Sequence, residues 1–199
     1  METCGFIEKM RNRRLILASG SPRRRELLAD LGVEFIVDVP EVDESHDESV
    51  AAEDVAPMLA SRKAAAYRQQ RGIREGEIVI SADTVVIVDD RVLGKPADGA
   101  EAREMLRSLS GRTHRVVTGV CVASADCTLS RSMATEVTFA PLSDDEISYY
   151  IDRYRPFDKA GAYGIQEWIG CMGITHISGD YYNVMGLPLR LLYEMLSVV

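Results

Sequence analysis

Short apolar runs along the chain alternate with stretches of helical spacing. LILAS at 15–19 reads as a buried strand, and Ser21-Pro22 then opens a helix. Serine is a favoured N-cap and proline a favoured first helical residue. Leu27, Leu28 and Leu31 give that helix its apolar face, and Gly32 is placed to end it. EFIVDV at 34–39 predicts a second strand, 41–54 a loop, and the next segment a helix to about Gln70 with Leu59, Ala65 and Ala66 toward the core. Pro57 fits that helix only in its first turn. EIVISA at 77–82 predicts a strand with Asp83-Thr84 at its end. VVIV, Asp89-Asp90 and RVLG then predict a hairpin. Asp98 with Glu101, and Ser143 with Glu146, have the spacing of capping boxes. The first opens a helix carrying Met105, Leu106 and Leu109 and closed by Gly111, and the second a helix carrying Ile147, Tyr150, Ile151 and Tyr154. Between them lie two long strands, 115–123 and about 130–139, with a turn near Asp126. Residues 155–170 are glycine-punctuated and irregular, 174–177 a last strand, and 187–196 a last helix with Pro188 near its start. Helices alternate with strands early and long strands pair in the middle, which predicts an α/β protein with a mixed sheet.

Length and composition narrow the classes. A chain of 199 residues is one domain by the usual prior, large enough to fold on its own core. Hydrophobic residues at 46% and charged residues at 27% exclude wholesale disorder. No apolar run approaches the ~18 residues that span a bilayer, and METCGFIEKM is too mixed for a signal peptide, so a cytoplasmic protein is expected. The net charge of −8 disfavours nucleic acid as a partner, because phosphate affinity comes largely from Lys and Arg. The charge is uneven, with six arginines in 11–25 and seven acids in 41–54. These could be an anion site and a metal site on different loops, or simply two solvated faces. Cys4, Cys121, Cys127 and Cys171 form no CxxC pair, and His46, His114 and His176 complete no zinc pattern. Cys121 and Cys171 stand in apolar runs and are expected to be buried.

Four segments carry candidate chemistry. In ASGSPRRRELL (18–28) a strand ends, a small-residue turn follows and a helix starts. Unpaired N–H groups at a helix start suit phosphate. Ser19 and Ser21 add hydroxyls, and Arg23 and Arg24 add forked, permanently charged donors. The plainer alternative is a capped helix with exposed arginines. In SADTVV (81–86), Asp83 could ligate a divalent cation or accept a proton from water, with Asp43 and Glu44 as candidate co-ligands. Lys95 in LGKP (93–96) is aimed by a short rigid loop, whereas Lys63 is expected on the polar side of its helix. In FDKAGAYGIQ (157–166), glycines let a ligand press on the backbone, and the amide of Gln166 can read a base edge.

In this order the stretches LILASGSPRRRELL, SADTVVIVDDRVLGKP, LSGRTHRVVTGV, FDKAGAYGIQ and GDYYNVMGLPL resemble the Maf family of nucleoside triphosphate pyrophosphatases, over about residues 15–190. The resemblance implies an α/β fold like that of inosine triphosphatases, a mixed twisted sheet flanked by helices with a deep cleft. It implies hydrolysis of a nucleoside triphosphate to monophosphate and pyrophosphate with Mg²⁺ or Mn²⁺. No membrane partner is expected, and a homodimer is allowed. By that resemblance Asp83 is the proton acceptor and, with Glu44, a metal ligand, and Ser19, Ser21, Arg23, Arg24, Lys63 and Lys95 meet the triphosphate. Arg23, Thr84 and Gln166 match the dTTP/UTP branch. The alternatives are a 7-methyl-GTP pyrophosphatase, whose branch has Trp in place of that Arg, and a non-catalytic regulator of cell division. Residues 1–14 form an extension outside the family pattern, leaving 15–199 as a single domain. Glu167-Trp168-Ile169 also departs from it, where the family is more Gly-rich.

Overall fold

The computed structural model describes residues 5–47 and 49–199. Cys4, Glu48 and the first four residues of the N-terminal extension lie outside the described residues. In chain order the elements are α1 (Gly5–Arg11), β1 (Arg14–Leu17), α2 (Pro22–Asp30), β2 (Phe35–Val37), α3 (Ala52–Arg71), β3 (Glu77–Val88) and β4 (Arg91–Leu93). They continue as α4 (Gly99–Leu109), β5 (Thr113–Ala123), β6 (Thr128–Phe139), α5 (Asp144–Tyr154), a 3₁₀ turn (Ala160–Ala162), α6 (Trp168–Gly173), β7 (Ile174–Ser178), α7 (Tyr181–Met185) and α8 (Leu189–Val198). The fold is α/β. Its described strands form a mixed seven-stranded sheet in the order β2-β1-β3-β5-β6-β7, with β4 paired on β3. β1 runs parallel to both β2 and β3, whereas β3–β4 and β6–β7 are antiparallel.

The chain forms two compact units. The first comprises the segments up to Asp83, Thr118–Met133 and Gly186–Val199; the second comprises Thr84–Val117 and Ala134–Met185. In the first unit Ile16, Ala18, Tyr67 and Val79 pack together, as do Ala60, Ala64, Cys121 and Ala123. α1 belongs to this unit. It buries Met10, sets Phe6 against Tyr193 with the rings tilted and their centroids 4.4 Å apart, and donates from Lys9 Nζ to Ser197 O at 2.8 Å. The core of the second unit includes Val86, Leu106, Val116, Phe139, Tyr150, Tyr163 and Ile165.

Local signals explain the starts of three helices. Ser21 caps α2 by accepting from Arg24 N. Asp98 caps α4 by accepting from Ala100 N and Glu101 N, both at 2.9 Å. Ser143 and Glu146 close a reciprocal capping box on α5. Asp89 and Asp90, both with positive φ, make the two-residue turn of the β3–β4 hairpin.

Five expectations need correction. β3 does not stop at Asp83: it runs unbroken for 12 residues with Asp83 and Thr84 half-buried in its middle, because apolar residues on both sides keep it in the sheet. Pro57 sits in the second turn of α3, not the first. A helix proline costs about 3 kcal/mol, and here tertiary contact outweighs it. Gly119 of β5 packs so closely on Pro57 that a Cβ there would lie 2.3 Å from its Cα. The buried face of α3 is Val55, Leu59, Lys63 and Tyr67 with Ala56, Ala60 and Ala64, which leaves Ala65 exposed. Lys63 is therefore on the buried side, not the polar one. Cys171 is exposed and Cys121 alone of the described cysteines is buried. The short α6 buries Ile169 and Gly173 and so turns Cys171 to the opposite face. No helix among the described residues is long and apolar enough to cross a membrane.

Candidate active site

In the first unit β1 ends at Leu17 and delivers Ser19 and Ser21 to the start of α2. Ser19 is nearly buried, and its Oγ accepts from Ser21 N at 3.4 Å and Arg24 Nη1 at 3.2 Å. Ser21 Oγ is spent on the cap, accepting from Arg24 N at 3.4 Å. An accepting hydroxyl still has its own O–H to give, so both serines can donate to an anion.

Arg24 is more than an anion receptor. Its Nη1 donates to Ala82 O at 2.7 Å and its Nε to Gly186 O at 2.8 Å. One guanidinium thus joins the start of α2, β3 one residue before Asp83, and the chain entering α8. Burial pulls its pKa below the ordinary value, while the Asp83 and Glu44 charges act the other way. Arg23 is half-buried in the first turn of the same helix.

Lys63 and Asp83 form the centre of this unit's charge. Lys63 Nζ lies 2.6 Å from Asp83 Oδ1 and 2.8 Å from Glu44 Oε1. The Lys63 and Asp83 side chains are 10% and 14% exposed, against 49% for Glu44. The two carboxylates offset the cost of burying this lysine. The acidic loop is otherwise mostly exposed. Asp43, named above as a co-ligand, faces solvent and accepts from Ser45, with a carboxyl pKa lowered mainly by the Ser45 backbone N–H. Among the described residues no three His, Cys, Asp or Glu side chains gather as a metal site. Two carboxylates sharing one cation position are nevertheless hard oxygen donors. They fit Mg²⁺, which is commonly held by one or two carboxylates plus substrate phosphates.

Thr84, Lys95 and Gln166 belong to the second unit. Thr84 follows Asp83 on β3, so the two side chains leave opposite faces of the strand. Lys95 is exposed between Gly94 and Pro96. Gly161 N donates to Gly94 O at 3.0 Å, which ties the lysine's loop to the 157–166 segment. That approach requires Gly161: its φ is +68°, and a Cβ would meet Val86 at 2.8 Å. Gln166 is exposed, between buried Ile165 and half-buried Glu167.

The structure therefore brings together Ser19, Ser21, Arg24, Glu44, Lys63 and Asp83 in one unit, and the Lys95 loop with the 157–166 segment in the other. A family model described as Maf-like protein matches residues 14–199. The chain belongs to the Maf family. A Maf relative in Phocaeicola vulgatus named dTTP/UTP pyrophosphatase is 50% identical over 193 residues, covering 96% of this chain and 99% of that protein. Proteins of the same name in Porphyromonas gingivalis and Bacteroides thetaiotaomicron are also 50% identical, over 96% and 92% of this chain and 97% and 94% of theirs. The solved structure of the Staphylococcus aureus Ham1 protein shares the fold at a TM-score of 0.53 and 17% identity, covering 94% of this chain and 99% of that one. The match to the Maf model begins at residue 14, and α1 precedes it.

The segment around Gln166 holds residues to which the sequence pattern assigned no chemistry. Lys159 is nearly buried and pairs with Asp158 at 2.8 Å and with Glu167 at 3.1 Å. Tyr150 donates to the other oxygen of Glu167. A charged pair eight residues apart, closed by a tyrosine from a preceding helix, leaves no local signature.

Proposed function

We propose that this chain hydrolyses dTTP and UTP to the monophosphate and pyrophosphate, as the names of its relatives state for them. The observation that carries the reading is Asp83, a carboxylate in mid-strand paired with buried Lys63 and close to the helix start that holds Ser19 and Ser21. Asp83 orients a water and takes its proton as the water oxygen attacks the α-phosphorus. The α–β phosphoanhydride bond breaks, and pyrophosphate leaves with that electron pair. Ser19, Ser21, Arg23 and Arg24 bind the phosphate oxygens with Lys63 and Lys95, and Arg24 also braces the strand carrying Asp83. Glu44 and Asp83 are the carboxylates that would hold Mg²⁺ or Mn²⁺, and such an ion supplies charge neutralisation on the phosphate oxygens.

Gln166 is the base reader in this proposal, with Thr84 and Arg23 as the other specificity positions. Uracil and thymine present an N3–H beside the O4 carbonyl. One carboxamide accepts from the first and donates to the second. Cytosine presents the reverse pattern, and a fixed amide then leaves polar groups unpaired, at about 1 to 3 kcal/mol each once the bound base covers them from water. The test is pyrophosphate release from a panel of nucleoside triphosphates with Mg²⁺. The expected result is dTTP and UTP well above CTP and the purine nucleotides, and an Asp83→Asn variant slowed by about 10² to 10⁴. Similar kcat/KM for UTP, CTP and GTP, or an Asp83→Asn enzyme within about threefold of the unaltered one, would overturn it.

A further inference from the structure

The second unit contains a polar network that the proposed chemistry does not use, next to the residue proposed to read the base. Glu167 is the N-cap residue of α6, yet its side chain makes no capping hydrogen bond. The carboxylate turns inward instead. One oxygen accepts from Tyr150 Oη, and the other pairs with Lys159 Nζ at 3.1 Å. Tyr150 Oη also accepts from Gly164 N at 3.0 Å. Tyr150 is fully buried on α5, and burial together with its bond to Glu167 keeps the phenol protonated and donating.

The backbone is tied as closely as the side chains. Glu167 N donates to Gly164 O at 3.0 Å, and Gly170 N donates to Glu167 O at 3.0 Å. A Cβ on Gly164 would meet the Glu167 carboxylate and Lys159 Cε at 3.0 Å, so glycine is what lets the network close around this turn. A Cβ on Gly170 would lie 1.8 Å from Ile165 O. The chain is therefore pinned immediately before and after Gln166, the one exposed residue of the turn.

We infer that Glu167 is a positioning residue for Gln166: held by Tyr150 and Lys159, it fixes the 164–167 turn, so the Gln166 side chain leaves the backbone from one place in one direction. The inference rests on the proposed reading of Gln166 as the base reader. A carboxamide on a mobile stem can shift as well as turn to meet cytosine, so discrimination begins with a fixed stem. A buried ion pair and a buried tyrosine, both ending on the residue after Gln166, supply that fixity.

The experiment compares kcat/KM for UTP and CTP in Glu167→Ala, Glu167→Gln, Tyr150→Phe, Gln166→Ala and the Gln166→Ala/Glu167→Ala double variant, with thermal unfolding followed for each. Glu167→Ala and Tyr150→Phe should lower the UTP:CTP ratio about tenfold, within the range that one polar contact controls. Glu167→Gln keeps an acceptor for Tyr150 and should fall between them and the unaltered enzyme. In the double variant, Glu167→Ala should change the ratio no further, because the group it positions is gone. If Glu167→Ala does not fold, Tyr150→Phe and Glu167→Gln carry the same comparison. A collapsed ratio in Gln166→Ala with an unchanged ratio in the Glu167 and Tyr150 variants would make the network merely structural and overturn the inference alone. An unchanged ratio in Gln166→Ala would remove the base-reading assignment, and the inference with it.

Discussion

Replacing Arg24 with lysine keeps its charge and removes its fork, so it separates an anion receptor from a structural brace. Arg24 reaches Ala82 O at 2.7 Å, Gly186 O at 2.8 Å and Ser19 Oγ at 3.2 Å with two nitrogens on one rigid plane. A single ammonium cannot span both carbonyls. At least one of them loses a hydrogen bond to a charged donor, worth about 1.5 to 3 kcal/mol, and the serine contact weakens as well. Arg24→Lys should therefore destabilise the first unit by roughly 2 to 4 kcal/mol. Arg25→Lys, on the exposed flank of the same helix, should stay within about 0.5 kcal/mol. Urea denaturation of both variants reads the difference as a shift in midpoint. Ala82 immediately precedes Asp83, so kcat for UTP should fall alongside stability, not KM alone. Equal midpoints for the two variants, with a loss confined to substrate affinity, would leave Arg24 its triphosphate role alone and refute the brace.

Two further outcomes follow from close packing and burial. Gly119→Ala should cost at least about 3 kcal/mol in thermal or urea unfolding, because its Cβ would fall 2.3 Å from the Pro57 backbone, which has no flexible end to move; unchanged stability would contradict that packing. Burial lowers the pKa of His114 to about 4 from 6.5. The native ring therefore stays neutral where the unfolded ring gains a proton. Stability should fall as pH drops from about 6.5 to 4 and then level, by roughly 3 kcal/mol in total. His114→Phe should lack that part of the pH dependence, and parallel pH curves for the two proteins would disprove it.

Features with a short-range cause were readable from the sequence. The caps at Ser21, Asp98 and Ser143 act within three residues, and so does the Asp89-Asp90 turn. Each appears in the structure near its expected place. The α/β class followed from the alternation of such elements. α1, α6 and α7 were not foreseen, and α6 begins inside the stretch 155–170 expected to be irregular. α1 shows one buried residue and a ring contact with α8, which is distant in sequence. α7 is five residues long and is anchored by Asn183, whose Nδ2 donates to Val116 O and Thr135 Oγ1, both at 2.9 Å. Neither anchor is visible in the local pattern. The grouping of Ser19, Ser21, Glu44 and Asp83 as candidates was legible from residue types. Their division from Thr84, Lys95 and Gln166 was not, since the unit boundary cuts through β3 between Asp83 and Thr84.

Lys63 shows where a signal was present and pointed inward. Val55, Leu59, Lys63 and Tyr67 repeat every four residues on α3, and all four are buried. A lysine on an apolar stripe cannot remain charged without partners brought from elsewhere. Its position on that stripe therefore demands carboxylates from another element. Asp83 is the complementary case, a carboxylate inside the apolar run EIVISADTVVIV. A strand buried along its length admits a charge only where an opposite charge meets it. Each residue breaks the period of its own element, and the two breaks answer each other across 2.6 Å. The charge misplaced in an apolar pattern, more than the arginine-rich or acid-rich run, is thus the mark in this sequence of where the chemistry is held.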